Sequence, residues 1–118
     1  MADHTIYLKV NSSKASELLL SNDGKKYTNG SSSEDKKFKT KAKDGDTVQW
    51  ITADSSITSI DAITPDKAND NLFNPVPTSP NWQGTVNSNK KSGAVESYSI
   101  TYTAGGSSHT CDPKIQMV

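Results

Sequence analysis

The feature that most constrains this chain is the alternation of apolar and polar residues in short runs. The clearest run is residues 97–103, in which Tyr98, Ile100 and Tyr102 share one face while serines and threonines share the other. A period of two is typical of a β-strand with one buried face. Shorter runs of the same kind recur along the chain, and no three-turn helical pattern is convincing. We therefore predict an all-β fold.

The other strands follow from the same pattern. Residues 4–10 predict a first strand, and residues 17–21 predict a second, for which a two-turn helix over residues 14–20 is the alternative. The tight-turn sequence at residues 44–46 predicts a hairpin that joins a strand at residues 37–43 to one at residues 47–52. In the latter strand, Val48 and Trp50 are expected to point inward.

The end of the chain predicts two more extended segments. After the break at residues 104–106, a run follows with His109 and Cys111 on one face. The pair at residues 112–113 interrupts it, and Ile115 and Met117 are the apolar positions of the last segment. With 118 residues of polar composition, the chain is expected to form a single domain over residues 1–118, an antiparallel Greek-key β-sandwich of seven or eight strands.

The basic residues bear on the class of partner. All thirteen are lysine, and arginine, the usual reader of phosphates and guanines, does not occur. We therefore expect no nucleic-acid partner. A basic run predicts a strand with a solvated lysine face, which discourages edge-to-edge pairing. Its members are Lys36, Lys37, Lys39, Lys41 and Lys43.

The expected compartment is the cytoplasm. No apolar stretch approaches the ~20 residues that span a bilayer, so we expect no membrane partner. Residues 1–10 lack the pattern of a signal peptide, and the single cysteine cannot form an internal disulfide. A chain trimmed of its signal peptide would read the same way.

The connection at residues 64–92 holds four of the five prolines and the candidate ligand-binding residues. Loops of this length are usually functional or partly ordered. Aromatic faces suit sugar rings, and amide and carboxylate oxygens suit sugar hydroxyls. The candidates are Phe73, Trp82, Asp70, Asn71 and Asn74. We also expect Phe73, Val76 and Trp82 to pin this loop against the sandwich.

Three segments carry a resemblance to known families. KDGDTVQW, ESYSITYT and DPKIQMV resemble the core of cupredoxin-like sandwiches. The closing strands are also similar to those of bacterial inclusion-body proteins of the PixA/AidA type, which end in W-D-P-x-I-x-V, with Cys111 where their Trp would stand. The likeness covers about residues 42–118. It implies a cupredoxin-like β-sandwich that acts by binding or self-association.

The copper site of cupredoxins is not expected here. Such a site needs two histidines, a cysteine and usually a methionine. The chain has only His4 and His109, and His109 precedes Cys111, which reverses the family's order. We predict no cofactor, although a degenerate metal or redox protein that uses His109 and Cys111, with Met117 as a further ligand, is the alternative function.

Catalysis is not expected either, because no phosphate-binding glycine loop, nucleophile elbow or carboxylate pair is present. The sequence predicts a non-enzymatic binding or self-associating protein with a glycan or small molecule as its ligand.

Overall fold

The computed structural model describes residues 2–29, 38–65, 72–87 and 91–118, and the strands within these ranges form two sheets. In chain order the strands are β1 (Asp3–Asn11), β2 (Lys14–Ser21), β3 (Thr28–Asn29), β4 (Lys39–Ala42), β5 (Thr47–Thr52), β6 (Ser59–Pro65), β7 (Gln83–Thr85), β8 (Val95–Ala104), β9 (Ser107–Cys111) and β10 (Lys114–Met117). The first sheet has the order β3-β2-β1-β5-β7. The second has the order β4-β10-β8-β6, and β9 also pairs with β8. The described ranges contain no helix, so none of them includes a helix that could cross a membrane.

The alternation of apolar and polar residues in the sequence matches the alternation of buried and more exposed residues in the strands. Tyr98, Ile100 and Tyr102 of β8 are fully buried, while the residues between them are partly exposed. Residues 14–21 form the strand β2 and not the alternative helix. The all-β prediction is confirmed because a chain with period two can bury its apolar residues only as sheet faces.

The core lies between the two sheets and takes residues from both. Its largest fully buried side chains are Trp50, Tyr98 and Tyr102. The indole Nε1–H of Trp50 donates a hydrogen bond to the Tyr98 hydroxyl, at 3.2 Å, so the polar atom of the largest core residue is paired. Burial raises the pKa of the Tyr98 hydroxyl, which keeps it protonated at any ordinary pH.

Two strand pairs are parallel, so the prediction of an antiparallel sandwich was wrong, and the described residues form ten strands where seven or eight were predicted. β1 pairs with β5 in parallel, and β10 pairs with β4 in parallel. The chain leaves the first sheet after β3, contributes β4 to the second sheet and returns as β5 beside β1. Such a crossover is how parallel neighbours arise, and residue alternation carries no information on strand direction.

The turn at residues 44–46 exists, but the predicted hairpin around it does not. β4 belongs to the second sheet and β5 to the first, so the turn carries the chain from one sheet to the other. Gly45 adopts a φ of 92°, which glycine tolerates without strain. Turn residues predict that the chain reverses, whereas pairing of the flanking strands depends on which partners the rest of the chain supplies.

Asp46 holds this turn to the start of β1. Its carboxylate accepts hydrogen bonds from the backbone N–H groups of Ala2 and Lys43 and lies 2.8 Å from Nε2 of His4. Burial by itself would raise the pKa of Asp46, but the hydrogen bonds from His4, Lys43 and Ala2 outweigh it and lower the pKa to about 2. The ionised carboxylate therefore stabilises the fold.

We expect Asp46→Asn to lower the free energy of unfolding at neutral pH by about 2 kcal/mol. A pKa that is lower in the folded state than the ordinary value of 3.8 contributes stability above about pH 4, and that contribution is lost as the pH falls through about 2. Urea denaturation between pH 7 and pH 2 should show the difference from wild type closing below pH 4. Asp44→Asn, an exposed change in the same turn, is the control. A difference that is as large at pH 2 as at pH 7 would contradict this account.

The predicted lysine-faced strand is the edge strand β4. Lys39 and Lys41 are exposed, whereas Thr40 and Ala42 are buried. Lys36 and Lys37, which belong to the same predicted run, lie outside the described residues. β4 ends the second sheet, so its outer edge is not covered by a further strand of that sheet within the described residues.

Candidate functional site

From residue 72 onward, the proline-rich segment is attached to β7 and the residues that follow it. Leu72 and Phe73 are buried, and Phe73 forms an isolated bridge with Val86. The backbone N–H of Asn87 donates to the Leu72 carbonyl at 2.7 Å, and that of Asn74 donates to the Thr85 carbonyl at 2.8 Å. Residues 72–75 therefore run antiparallel to residues 84–87, as a rim on the first sheet.

Phe73 is a core residue, with an exposed fraction of 2%. Its ring makes edge contacts with Trp50 and Tyr98, at centroid separations of 5.4 Å and 5.7 Å. The expectation that Phe73 pins the loop is confirmed. A ring buried in this way presents no face to a ligand, so its other predicted role, stacking on a sugar, does not agree with the structure.

A close approach between β7 and the loop fixes the loop's path. A Cβ on Gly84 would lie 2.8 Å from Cγ of Pro77 and 3.1 Å from the carbonyl oxygen of Pro75. Only a residue without a side chain allows residues 75–77 to pack at this distance.

We expect Gly84→Ala to destabilise the protein by about 1–3 kcal/mol, because the added methyl group pushes the loop away from β7. Thermal unfolding followed by circular dichroism measures the effect. The double variant with Pro77→Ala removes the ring atoms that clash and should recover part of the loss. Identical melting of Gly84→Ala and wild type would show that the loop packs differently.

Two backbone hydrogen bonds fix the position of Trp82 at the end of this loop. Its carbonyl accepts from the N–H of Trp50 at 2.9 Å, and its N–H donates to the Thr78 carbonyl at 2.8 Å. Its φ is 48°, in the left-handed region that bulky residues rarely adopt. Strained conformations of this kind persist where the surrounding structure enforces them, and they concentrate at functional sites.

The side chain of Trp82 is half-buried, packs against the core and lines an open groove of about 460 Å³. The groove lies where β7 ends and leaves the second half of β5 uncovered. Its walls are residues 79–82, the end of β5 and the segment that leads into β6. The polar residues in the lining include Gln49, Asn81, Thr52, Thr58 and Ser59, of which Ser59 donates its hydroxyl hydrogen bond to the Asp61 carboxylate. Among the described residues, no acidic or basic side chain lines this groove.

Of the other predicted ligand residues, Asn74 is the one that the structure describes, and it is not brought to Trp82. Asn74 is exposed but does not line the groove. Asp70 and Asn71 lie outside the described residues. Val76 is 44% exposed, so it does not pin the loop as predicted.

The polar wall of the groove was missed by the sequence reasoning. Gln49 lies opposite Trp50 in the alternation of β5, which marks it as outward-facing, and its Nε2 donates to the Asn81 carbonyl at 3.2 Å. Ser59 begins β6 of the second sheet, and Thr58 directly precedes it. No local pattern connects these positions to Trp82, since the β5–β7 pairing and the facing sheets join them only in the folded chain.

His109 and Cys111 share one face of β9, as predicted, but the described structure adds no further ligand. Nε2 of His109 lies 3.1 Å from the Ala104 carbonyl oxygen, and its ring lies beside Tyr102. Cys111 is 4% exposed and pairs with Ile100 of β8. Within the described ranges, no group of three or more His, Cys, Asp or Glu side chains is arranged to hold a metal ion.

No protein-family model matches this chain, and no curated protein matches it either.

Proposed function

We propose that the protein is a non-catalytic binding protein that takes a neutral carbohydrate in the groove beside Trp82. The observation that carries the proposal is the partly exposed indole of Trp82, held at the edge of a groove with a polar wall. An aromatic face is suited to the apolar C–H surface of a sugar ring, and amides and hydroxyls are suited to its hydroxyl groups.

The charge of the groove selects the class of sugar. A lining without Lys, His, Asp or Glu among the described residues provides no counter-ion for a carboxylate or sulfate group. Transfer of a charged group from water into contact with unpaired neutral walls costs free energy, whereas a neutral hydroxyl exchanges one hydrogen bond for another. Neutral hexoses are therefore favoured over uronic acids and sulfated sugars.

The dimensions agree with a short ligand. A groove of about 460 Å³ lies within the range of ordinary small-ligand sites and is open along one side, so a chain of sugars can continue into solvent. We infer binding to one or two units of a longer glycan.

The proposal extends to the fold family. We infer a Greek-key, cupredoxin-like sandwich that serves as a scaffold without a copper site, and the two mixed sheets with their crossover from β4 to β5 support it. The resemblance to bacterial inclusion-body proteins remains a prediction from the closing strands.

A glycan array that carries both neutral and acidic glycans tests the function. We expect signals on neutral glycans, and isothermal titration with the corresponding free sugar should give one site per chain. Binding confined to acidic glycans would contradict the assignment to this uncharged groove. The absence of signal from every glycan on the array would exclude carbohydrate binding altogether.

A further inference from the structure

The sandwich has a second opening, between β1 and β4. The cleft between them has a volume of about 410 Å³. We call it the β1–β4 cleft. It is lined by Asp3, His4, Thr5, Asn22, Lys39, Thr40 and Lys41.

The cleft exposes a strand edge of the first sheet. β2 pairs with β1 only from Tyr7 onward, so it leaves the start of β1 uncovered on this side. On its other side, β1 pairs with β5 from Asp3 to Leu8. The Ala2 carbonyl accepts from Thr47 of β5. Backbone groups point to alternate sides along a strand, so those of Asp3 and Thr5 point toward the cleft.

The opposite wall is the outer edge of β4. The carbonyls of Phe38 and Ala42 accept hydrogen bonds from Lys114 and Val118, which places these groups on the β10 side. The backbone groups of Lys39 and Lys41 therefore point toward the cleft. The Lys39 carbonyl accepts from the side-chain amide of Asn22, which closes one end. Among the described residues, no strand lies beside the N–H and carbonyl of Lys41 on this side, so these groups are open to a partner.

The charge of the cleft is positive on the β4 side. Lys39 and Lys41 are exposed and lie on the same face, two residues apart. Within the described residues, neither forms an ion pair. The acid in the lining, Asp3, accepts a hydrogen bond from the Thr47 hydroxyl, so its carboxylate is directed to β5.

We propose that the β1–β4 cleft binds an extended acidic peptide segment as an added strand. Main-chain groups of the segment pair with Asp3 and Thr5 of β1 and with Lys41 of β4, in the manner of strand addition at a sheet edge. Acidic side chains two residues apart lie beside Lys39 and Lys41, because cross-strand neighbours on one face interact directly. The residue between them points inward to Thr40 and His4, which favours a small polar side chain. The proposed peptide ligand therefore has an acidic residue, a small polar residue and a second acidic residue in succession.

A peptide titration tests the proposal. The probe is the capped pentapeptide Glu-Thr-Glu-Thr-Glu, titrated into the ¹⁵N-labelled protein and followed by amide chemical shifts. We expect saturable shifts at Asp3, Thr5 and Lys41, and none for the peptide with lysine in place of glutamate. N-methylation of the two threonine amides should weaken binding about tenfold or more, because it removes main-chain hydrogen bonds and keeps the charge.

Variants of the protein separate the contributions. Lys39→Ala with Lys41→Ala should weaken binding about fivefold, whereas Lys14→Ala with Lys91→Ala, which removes equal charge from exposed positions outside the cleft, should leave it unchanged. Equal affinity of the methylated and unmethylated peptides would overturn strand addition. Equal weakening by both lysine pairs would show non-specific attraction and also overturn it, as would the absence of shifts at millimolar peptide.

Discussion

Trp50→Ala is expected to destabilise the protein by about 3–5 kcal/mol, the usual cost of removing a buried tryptophan from a core. The side chain is 1% exposed and makes edge contacts with Phe73 and Tyr98 at centroid separations of 5.4 Å and 5.5 Å. Its loss leaves a cavity between the sheets and an unpaired hydroxyl on Tyr98. Against a typical stability of about 5–15 kcal/mol, this is a large fraction. Chemical denaturation read by circular dichroism measures it.

Two milder variants divide this cost between packing and hydrogen bonding. Trp50→Phe keeps an aromatic ring but loses the indole donor, so it should cost less than the alanine variant. Tyr98→Phe keeps the packing and leaves the Trp50 Nε1–H without its acceptor, for which about 1–3 kcal/mol is expected. A Trp50→Ala cost below about 1 kcal/mol would mean that the contacts among Trp50, Phe73 and Tyr98 do not hold the sheets together.

Trp82→Ala is expected to weaken glycan binding strongly and to have only a small effect on stability. Because its side chain is half-buried at the rim, the free energy of unfolding should fall by less than about 2 kcal/mol. Loss of the central aromatic contact of a binding site typically costs about 2 kcal/mol or more, which weakens the affinity for a neutral glycan about 30-fold. Denaturation and isothermal titration on the same preparation separate the two effects.

Asn74→Ala provides the matched control from the same loop. Asn74 is exposed and does not line the groove, so both affinity and stability should stay close to wild type. Equal destabilisation by Trp50→Ala and Trp82→Ala would show that Trp82 is a second core anchor, and the binding groove would lose its main support.

The candidate site was only partly accessible to sequence reasoning. Trp82 and Phe73 were both selected because an aromatic face in a loop rich in Asn and Asp suits a sugar ring, although Phe73 is buried. The sequence does not distinguish the two, because each is a single aromatic residue in an irregular segment. Their difference arises from the bridge of Phe73 to Val86 and from the left-handed backbone of Trp82.

The period-two pattern by itself determined that the chain is all-β and which face of β1, β5 and β8 is buried, since alternation on a strand is a local property of neighbouring residues. It did not determine which strands pair or in which direction. The turn at residues 44–46 predicted a hairpin, and tertiary structure made it a crossing between sheets. The same long-range pairings leave the sandwich open at the Trp82 groove and at the β1–β4 cleft. Both openings exist because a strand ends before its neighbour does, and such a relation between distant segments is decided only when the whole chain packs.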